Sequence, residues 1–179
     1  MSLSVNAAQS CKFLTLNIKY TVVASTLLTL SIVGKDANGA DVDVSGTVNP
    51  LFTITPLSPS VSYPIPISNL TISNGLITII LTTAAGTEVD RKTVLLHCDI
   101  DCCLTKLTNE LIACSCDCAK CSSSLAKAQK VFLLLQSADY AVVQLNDAAM
   151  GSKPGFILDA NTKYLKAKEV CDDSCGCDC

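Results

Sequence analysis

Two hydrophobic periods divide the chain. Up to about residue 97 apolar positions recur every second residue, and beyond it every third or fourth. From Lys12 to Tyr20, Leu14, Leu16, Ile18 and Tyr20 alternate with Thr15, Asn17 and Lys19, which predicts a half-buried strand. Val22 to Val33 is rich in β-branched residues and predicts a second strand or a strand pair. Asn38-Gly39, within Lys35 to Asp41, predicts a turn, and Val42 to Val48 a short strand. Asn49-Pro50 interrupts the pattern, and Phe52 to Ile54 is a short extended piece. Pro56, Pro59, Pro64 and Pro66 make the next stretch an edge strand or an ordered loop. Leu76 to Thr83 and Val89 to Leu96 flank AAGTE and predict a hairpin. About six or seven short strands point to an antiparallel β-sandwich-like docking domain over residues 1–97.

The second part reads as helices. Cys102 to Ala113 places Leu104, Leu107, Leu111 and Ile112 on an apolar stripe, with Asp99 and Asp101 before it, where carboxylates complement a helix N-terminus. Ser122 to Ser124 offers an N-cap for a long helix from Leu125 to about Asp147. Leu125, Ala128, Phe132, Leu135 and Asp139 trace one of its faces, and Val131, Leu134, Ala138 and Val142 another. The run VFLLL is apolar all round, which predicts burial within the fold or against a neighbouring subunit. GSKPG, Gly151 to Gly155, ends that helix, and Asn161 to Cys171 predicts a short third one. The fold class is therefore α+β: a β-sandwich-like domain, then a cysteine-clamped helical hairpin with a cysteine tail over residues 98–179.

Composition narrows the class. At 179 residues, with 49% hydrophobic and 16% charged residues, the chain can bury a core and is not of the disordered type. The net charge is −3 and the basic residues are scattered, so no stripe suits nucleic acid. The N-terminus MSLSVNAAQS lacks a basic segment followed by an apolar run. Tyr20 to Val33 is broken by Thr21, Ser25, Thr26, Thr29 and Ser31, which fits strand better than a membrane span. These features lead us to expect synthesis in the cytoplasm and no membrane span. Asn69-Leu70-Thr71 matches a glycosylation sequon, and without a secretion signal we read it as coincidence.

The candidate chemistry is thiol chemistry. Of the twelve cysteines, only Cys11 precedes residue 98. In a reducing compartment clustered thiols more often bind metal than form disulfides. A helix from Cys102 to Cys114 would hold its ends roughly 18 Å apart, too far to share one ion. We therefore expect two structural zinc sites. One is the tetrad Cys114, Cys116, Cys118 and Cys121; the other joins Cys98 and Cys102 to two of Cys171, Cys175, Cys177 and Cys179. The third helix returns the tail towards the Cys98–Cys103 end. His97 is an optional ligand, and disulfides are the alternative to zinc. Iron–sulfur ligation fits the thiol count but has no supporting motif. CxC spacings are also found in metallothionein-type clusters, but the patterned helices exceed what a metal buffer needs. CAKC, residues 118–121, has the form of a redox dithiol, yet the βαβ context of such folds is missing. No Ser-His-Asp set or carboxylate pair can be assembled, so no catalytic residue is assigned.

HCDIDCCLTKLTNEL, then CDCAKC and LAKAQKVFLLLQSADYA, resemble segments of uncharacterised cysteine-rich structural proteins of tailed bacteriophages, over about residues 95–145. The resemblance implies a non-enzymatic virion component of the neck, tail or capsid surface, assembled in the host cytoplasm. Its partners would be neighbouring virion proteins and copies of itself. Two other readings stand beside it: a cellular metal- or redox-handling thiol protein, and an extracellular filament or adhesive subunit with disulfides.

Overall fold

A computed structural model describes residues 2–7, 12–19, 25–35, 40–48, 51–55, 60–113, 118–147 and 153–172. It divides into two compact units, Met1–Leu96 and His97–Cys179. The fold is α+β, with antiparallel sheet first and helices after.

The first unit holds eight strands among the described residues: β1 Ser2–Ala7, β2 Phe13–Lys19, β3 Thr26–Lys35, β4 Asp41–Asp43, β5 Leu51–Ile54, β6 Ser60–Pro66, β7 Asn74–Thr83 and β8 Glu88–His97. One sheet has the order β1-β2-β6, and the other the order β4-β3-β7-β8 with β5 also on β3. Alternation does the work the sequence pattern requires. Leu14, Leu16 and Ile18 of β2 are buried, as are Leu28, Leu30 and Ile32 of β3 and Ile77, Ile79 and Leu81 of β7. The register pairs like with like: Leu14 opposite Ile65, Leu30 opposite Leu81, Ile32 opposite Ile79. A one-residue slip would turn all of these side chains outward.

β1 is a strand that the sequence reading did not anticipate. Val22 to Val33 resolves into the single strand β3, with residues 22–24 outside the described residues. The Pro-rich stretch does form an edge: β6 contains Pro64 and Pro66 and lies on the outside of its sheet. Pro56 and Pro59, and the turn residues Asn38-Gly39, lie outside the described residues, although Lys35 pairs with Asp41 across the turn.

Val42 to Val48 is not one strand. After the short β4 the chain turns at Gly46, whose φ is +56°. Thr47 N–H donates to the Asn69 carbonyl at 2.9 Å, and Thr71 N–H to the Val44 carbonyl at 3.2 Å. This turn is thereby tied to the 3-10 turn Ile67–Asn69, and it buries Val44 and Val48. The β7–β8 hairpin closes through Gly86, with Thr83 N–H donating to the Thr87 carbonyl at 2.9 Å.

Among the described residues the second unit holds three helices: α1 Cys98–Ala113, α2 Cys118–Asp147 and α3 Lys153–Asp172. Their boundaries differ from expectation in one direction, each helix starting earlier. Asp99 and Asp101 lie in the first turn of α1 rather than before it. Ser122 to Ser124 lie inside α2. Pro154 and Gly155 open α3; proline is tolerated in a first turn because the N–H it lacks would be unbonded there anyway.

Each helix buries a narrow seam: Ile100, Cys103 and Leu107 of α1; Val131, Leu135, Ala138, Ala141, Val142 and Leu145 of α2; Ala160, Tyr164, Ala167 and Cys171 of α3. VFLLL is not buried all round, since Val131 and Leu135 face inward while Phe132 and Leu133 are exposed. Ile112, the last residue of the stripe expected for α1, is likewise exposed. No helix among the described residues is long and apolar enough to cross a membrane.

Candidate functional site

The helical unit is built round a covalent link. Cys103 lies between Ile100 and Leu107 on the buried seam of α1, and Cys171 extends the Ala160–Tyr164–Ala167 seam of α3. The two form a disulfide, with their Cα atoms 5.8 Å apart and a sequence separation of 68. One helical turn earlier on α1, the Asp99 carboxylate accepts hydrogen bonds from the Tyr164 hydroxyl at 3.0 Å and the Lys168 ammonium at 2.9 Å. Asp99 and Cys103 advance along α1 as Tyr164, Lys168 and Cys171 advance along α3, so these two helices run parallel. α2 runs against both: the Ser124 hydroxyl donates to Glu110 at 3.1 Å near its start.

The polar groups at this clamp are electrostatically tuned. Burial, reinforced by the Asp99 charge, pushes the Tyr164 phenol above its ordinary value, so it stays a hydrogen-bond donor. At the start of α1 the His97 Nδ1 lies 3.1 Å from Asp101 Oδ1. That carboxylate raises the imidazole above its usual value against the opposing effect of burial. Asp139 of α2 feels both groups. Desolvation raises its carboxyl, Asp101 adds to the effect and His97 reduces it. The histidine expected as an optional metal ligand therefore has a carboxylate partner.

Cys98, Cys102 and Cys121 are also disulfide-bonded. Cys98 and Cys102 are in the first turns of α1, and Cys121 is in the first turn of α2. Cys118 begins α2, but its side chain, like residues Cys11, Cys114, Cys116, Cys175, Cys177 and Cys179, lies outside what is described. This oxidised state departs from the two-zinc expectation. A sulfur shared in a disulfide has no thiolate charge to offer a metal. Among the described residues, no group of three or more His, Cys, Asp or Glu could hold a metal ion.

Cys171 does meet the Cys98–Cys103 end of α1, as the returning helix requires, but its partner is Cys103 rather than Cys98 or Cys102. The signal for that choice was present in the sequence. Stepping back from Leu107 by four and seven positions reaches Cys103 and Ile100, which makes Cys103 the inward-facing thiol of the cluster. No protein-family model, curated protein or solved structure matches the chain.

Proposed function

We propose that the protein is a non-enzymatic structural subunit that works outside a reducing cytoplasm, as a component of a bacteriophage particle. The observation that carries this reading is the oxidised helical unit. Disulfides persist in secreted, extracellular and virion-surface settings and are removed where glutathione and thioredoxin keep thiols reduced. A buried disulfide between two helices adds resistance to unfolding without supplying a reactive group. The resemblance over about residues 95–145 names the kind of assembly, a neck, tail or capsid-surface location, with the β-sheet unit as the docking part. The same disulfides support a second reading, an extracellular filament or adhesive subunit. A cellular metal- or redox-handling role draws no support from sulfurs already paired.

The test is location together with oxidation state. Peptide mass spectrometry of density-purified particles, host cytosol and culture medium would follow the chain, with thiols alkylated before lysis. Recovery in particles with the Cys103–Cys171 peptides linked is the expected result. Recovery in medium free of particles would transfer the assignment to the filament reading. A cytosolic chain with all thiols alkylated would overturn both.

A further inference from the structure

We infer that the first two turns of α1 are the docking site of the segment that follows α3, residues 173–179, which is fastened there by two disulfides, from Cys98 and from Cys102 to two of Cys175, Cys177 and Cys179. The inference rests on the oxidised state of the helical unit and not on where the protein is found.

Cys98 and Cys102 are both disulfide-bonded, and Cys103 beside them is committed to Cys171. The two do not suit each other. Four apart on a helix, their Cβ atoms stand about 5–6 Å apart, whereas a disulfide holds them at about 3.5–4.5 Å. Cys121 is out of range. The Ser124 hydroxyl donates to Glu110 and α2 runs against α1, so Cys121 lies nearly a turn beyond the level of Glu110. At ~1.5 Å per residue that is roughly 16 Å along the axis from Cys102 and roughly 22 Å from Cys98, against at most about 7 Å between the Cα atoms of a bonded pair. Cys114 directly follows Ala113, Cys118 opens α2 and Cys116 stands two residues before it, so chain connectivity keeps all three at that far end. The sequence then leaves Cys11 of the first unit and the three cysteines after α3. Cys11 has one sulfur, and two bonds are made.

Position favours the segment after α3 for both. α3 ends at Asp172, one residue past Cys171, whose Cα is 5.8 Å from that of Cys103. The segment therefore leaves α3 beside the turn that carries Cys102. An extended chain covers about 3.5 Å per residue, so Cys175 reaches about 14 Å from Cys171 and Cys177 about 21 Å. Cys102 lies within about 10 Å of Cys171, and Cys98 within about 15 Å. Asp99, bonded to Tyr164 and Lys168, marks the side of α1 that α3 covers. At ~100° per residue Cys102 and Cys98 follow Asp99 round the helix by about 60° and 100°, away from Ile100 and Leu107. Both are half-buried although they lie off that seam. Between its cysteines the segment carries only Asp173, Ser174, Gly176 and Asp178, with no bulky side chain to hold it off a helix surface. In forming each bond two thiols give up two protons and two electrons, and an external protein or small-molecule disulfide accepts them and becomes two thiols.

Peptide mapping of the full oxidised chain tests this, with free thiols alkylated at acid pH before digestion. Trypsin with a protease that cuts before aspartate separates residues 93–98, with Cys98 alone, from 101–106, with Cys102 and Cys103. It also separates 169–171, with Cys171, from 173–177 and 178–179. Fragment 93–98 should be linked to 173–177 or 178–179, and 101–106 should carry one link to that segment besides its link to 169–171. In the full chain with Cys175→Ser, Cys177→Ser and Cys179→Ser together, Cys98 and Cys102 should become alkylatable, a gain of two thiols, while the Cys103–Cys171 link persists. A link from Cys98 or Cys102 to Cys11, to the Cys114–Cys121 cluster or to a second copy of the chain would overturn the proposal. So would either residue found alkylated in the parent chain, or a triple variant that gains no thiol. A retained Cys103–Cys171 link in any of these cases would show that the docking had failed and the oxidised state had not.

Discussion

Replacing Cys103 and Cys171 together by alanine removes the α1–α3 link without leaving a lone thiol. Its main effect falls on the unfolded chain. Closing a loop across the 68 positions that separate the pair accounts for about 4 kcal/mol in the chain-entropy account. Cys121 lies inside that loop and is itself disulfide-bonded, so the unfolded chain is already partly restricted and about 2 to 4 kcal/mol is the expected loss. For a unit of roughly 80 residues each kcal/mol moves the midpoint by about 4–8 °C, so the fall should be on the order of 10–30 °C. Far-ultraviolet circular dichroism during heating reads it, because the affected structure is helical. Intact mass before and after alkylation would establish that the other bonds remain. A midpoint within about 2 °C of the parent would refute the reasoning, since the link would then restrict nothing the unfolded chain explores.

Three further outcomes follow from local geometry. Gly46→Ala should cost more than about 2 kcal/mol in chemical denaturation, because a Cβ at φ +56° would overlap the Asn69 carbonyl oxygen and break the tie between two turns; an unchanged midpoint would contradict the assigned conformation. Tyr164→Phe should cost about 1–2 kcal/mol at neutral pH by removing a hydrogen bond to Asp99. The folded phenol holds its proton beyond 10.0, so stability present below that pH is lost as pH rises above it, and the Phe variant should show a flatter alkaline limb in urea titrations. His97 is the chain's single histidine, so its imidazole NMR signal is unambiguous. Its midpoint should lie above 6.5 and fall in Asp101→Asn, and the stabilisation from this pair, full below pH 6.5, should fade as pH rises through the folded value.

Strand alternation was the most legible part of the chain, because a sheet with one wet face must repeat every second residue. Leu14-Leu16-Ile18 and Ile77-Ile79-Leu81 are buried on that pattern. β1 was missed although SLSVNA alternates polar and apolar residues, because the segment is short and only Leu3 and Val5 are strongly apolar; its pairing with β2 defines it. Helix starts were misplaced because Ser122 to Ser124 look like caps, whereas α2 begins about two turns earlier, at Cys118. For the cysteines, the spacing of four selected Cys98 and Cys102 as ligands and passed over Cys103, the residue that pairs with Cys171. Only the burial seam through Ile100 and Leu107 separates Cys103 from its neighbours, and that seam becomes visible once α1 is known to begin at Cys98.

The choice between zinc and disulfide also changes what the helical unit can present to a partner. The expected second zinc site would have tied Cys98 and Cys102 to the α3 end through a metal, whereas the disulfide places the link at Cys103, inside the packing contact of α3 with α1. That contact is thin, because the α3 seam contains two alanines, Ala160 and Ala167. Small residues allow close approach but bury little area, so the seam by itself supplies modest stabilisation. The Cys103–Cys171 bond and the Asp99–Tyr164–Lys168 cluster make up the difference at one end of the helix pair. With α3 held covalently to α1, the unit does not depend on a large apolar contribution from every face of α2. Phe132, Leu133 and Tyr140 can then remain outside the core without loss of the fold. In a chain without such a link, exposing those side chains would waste apolar area that a small three-helix unit needs, since burial fraction falls with size. The covalent clamp thus lets the helical unit tolerate exposed apolar residues on α2, and removing the disulfide should lower its stability.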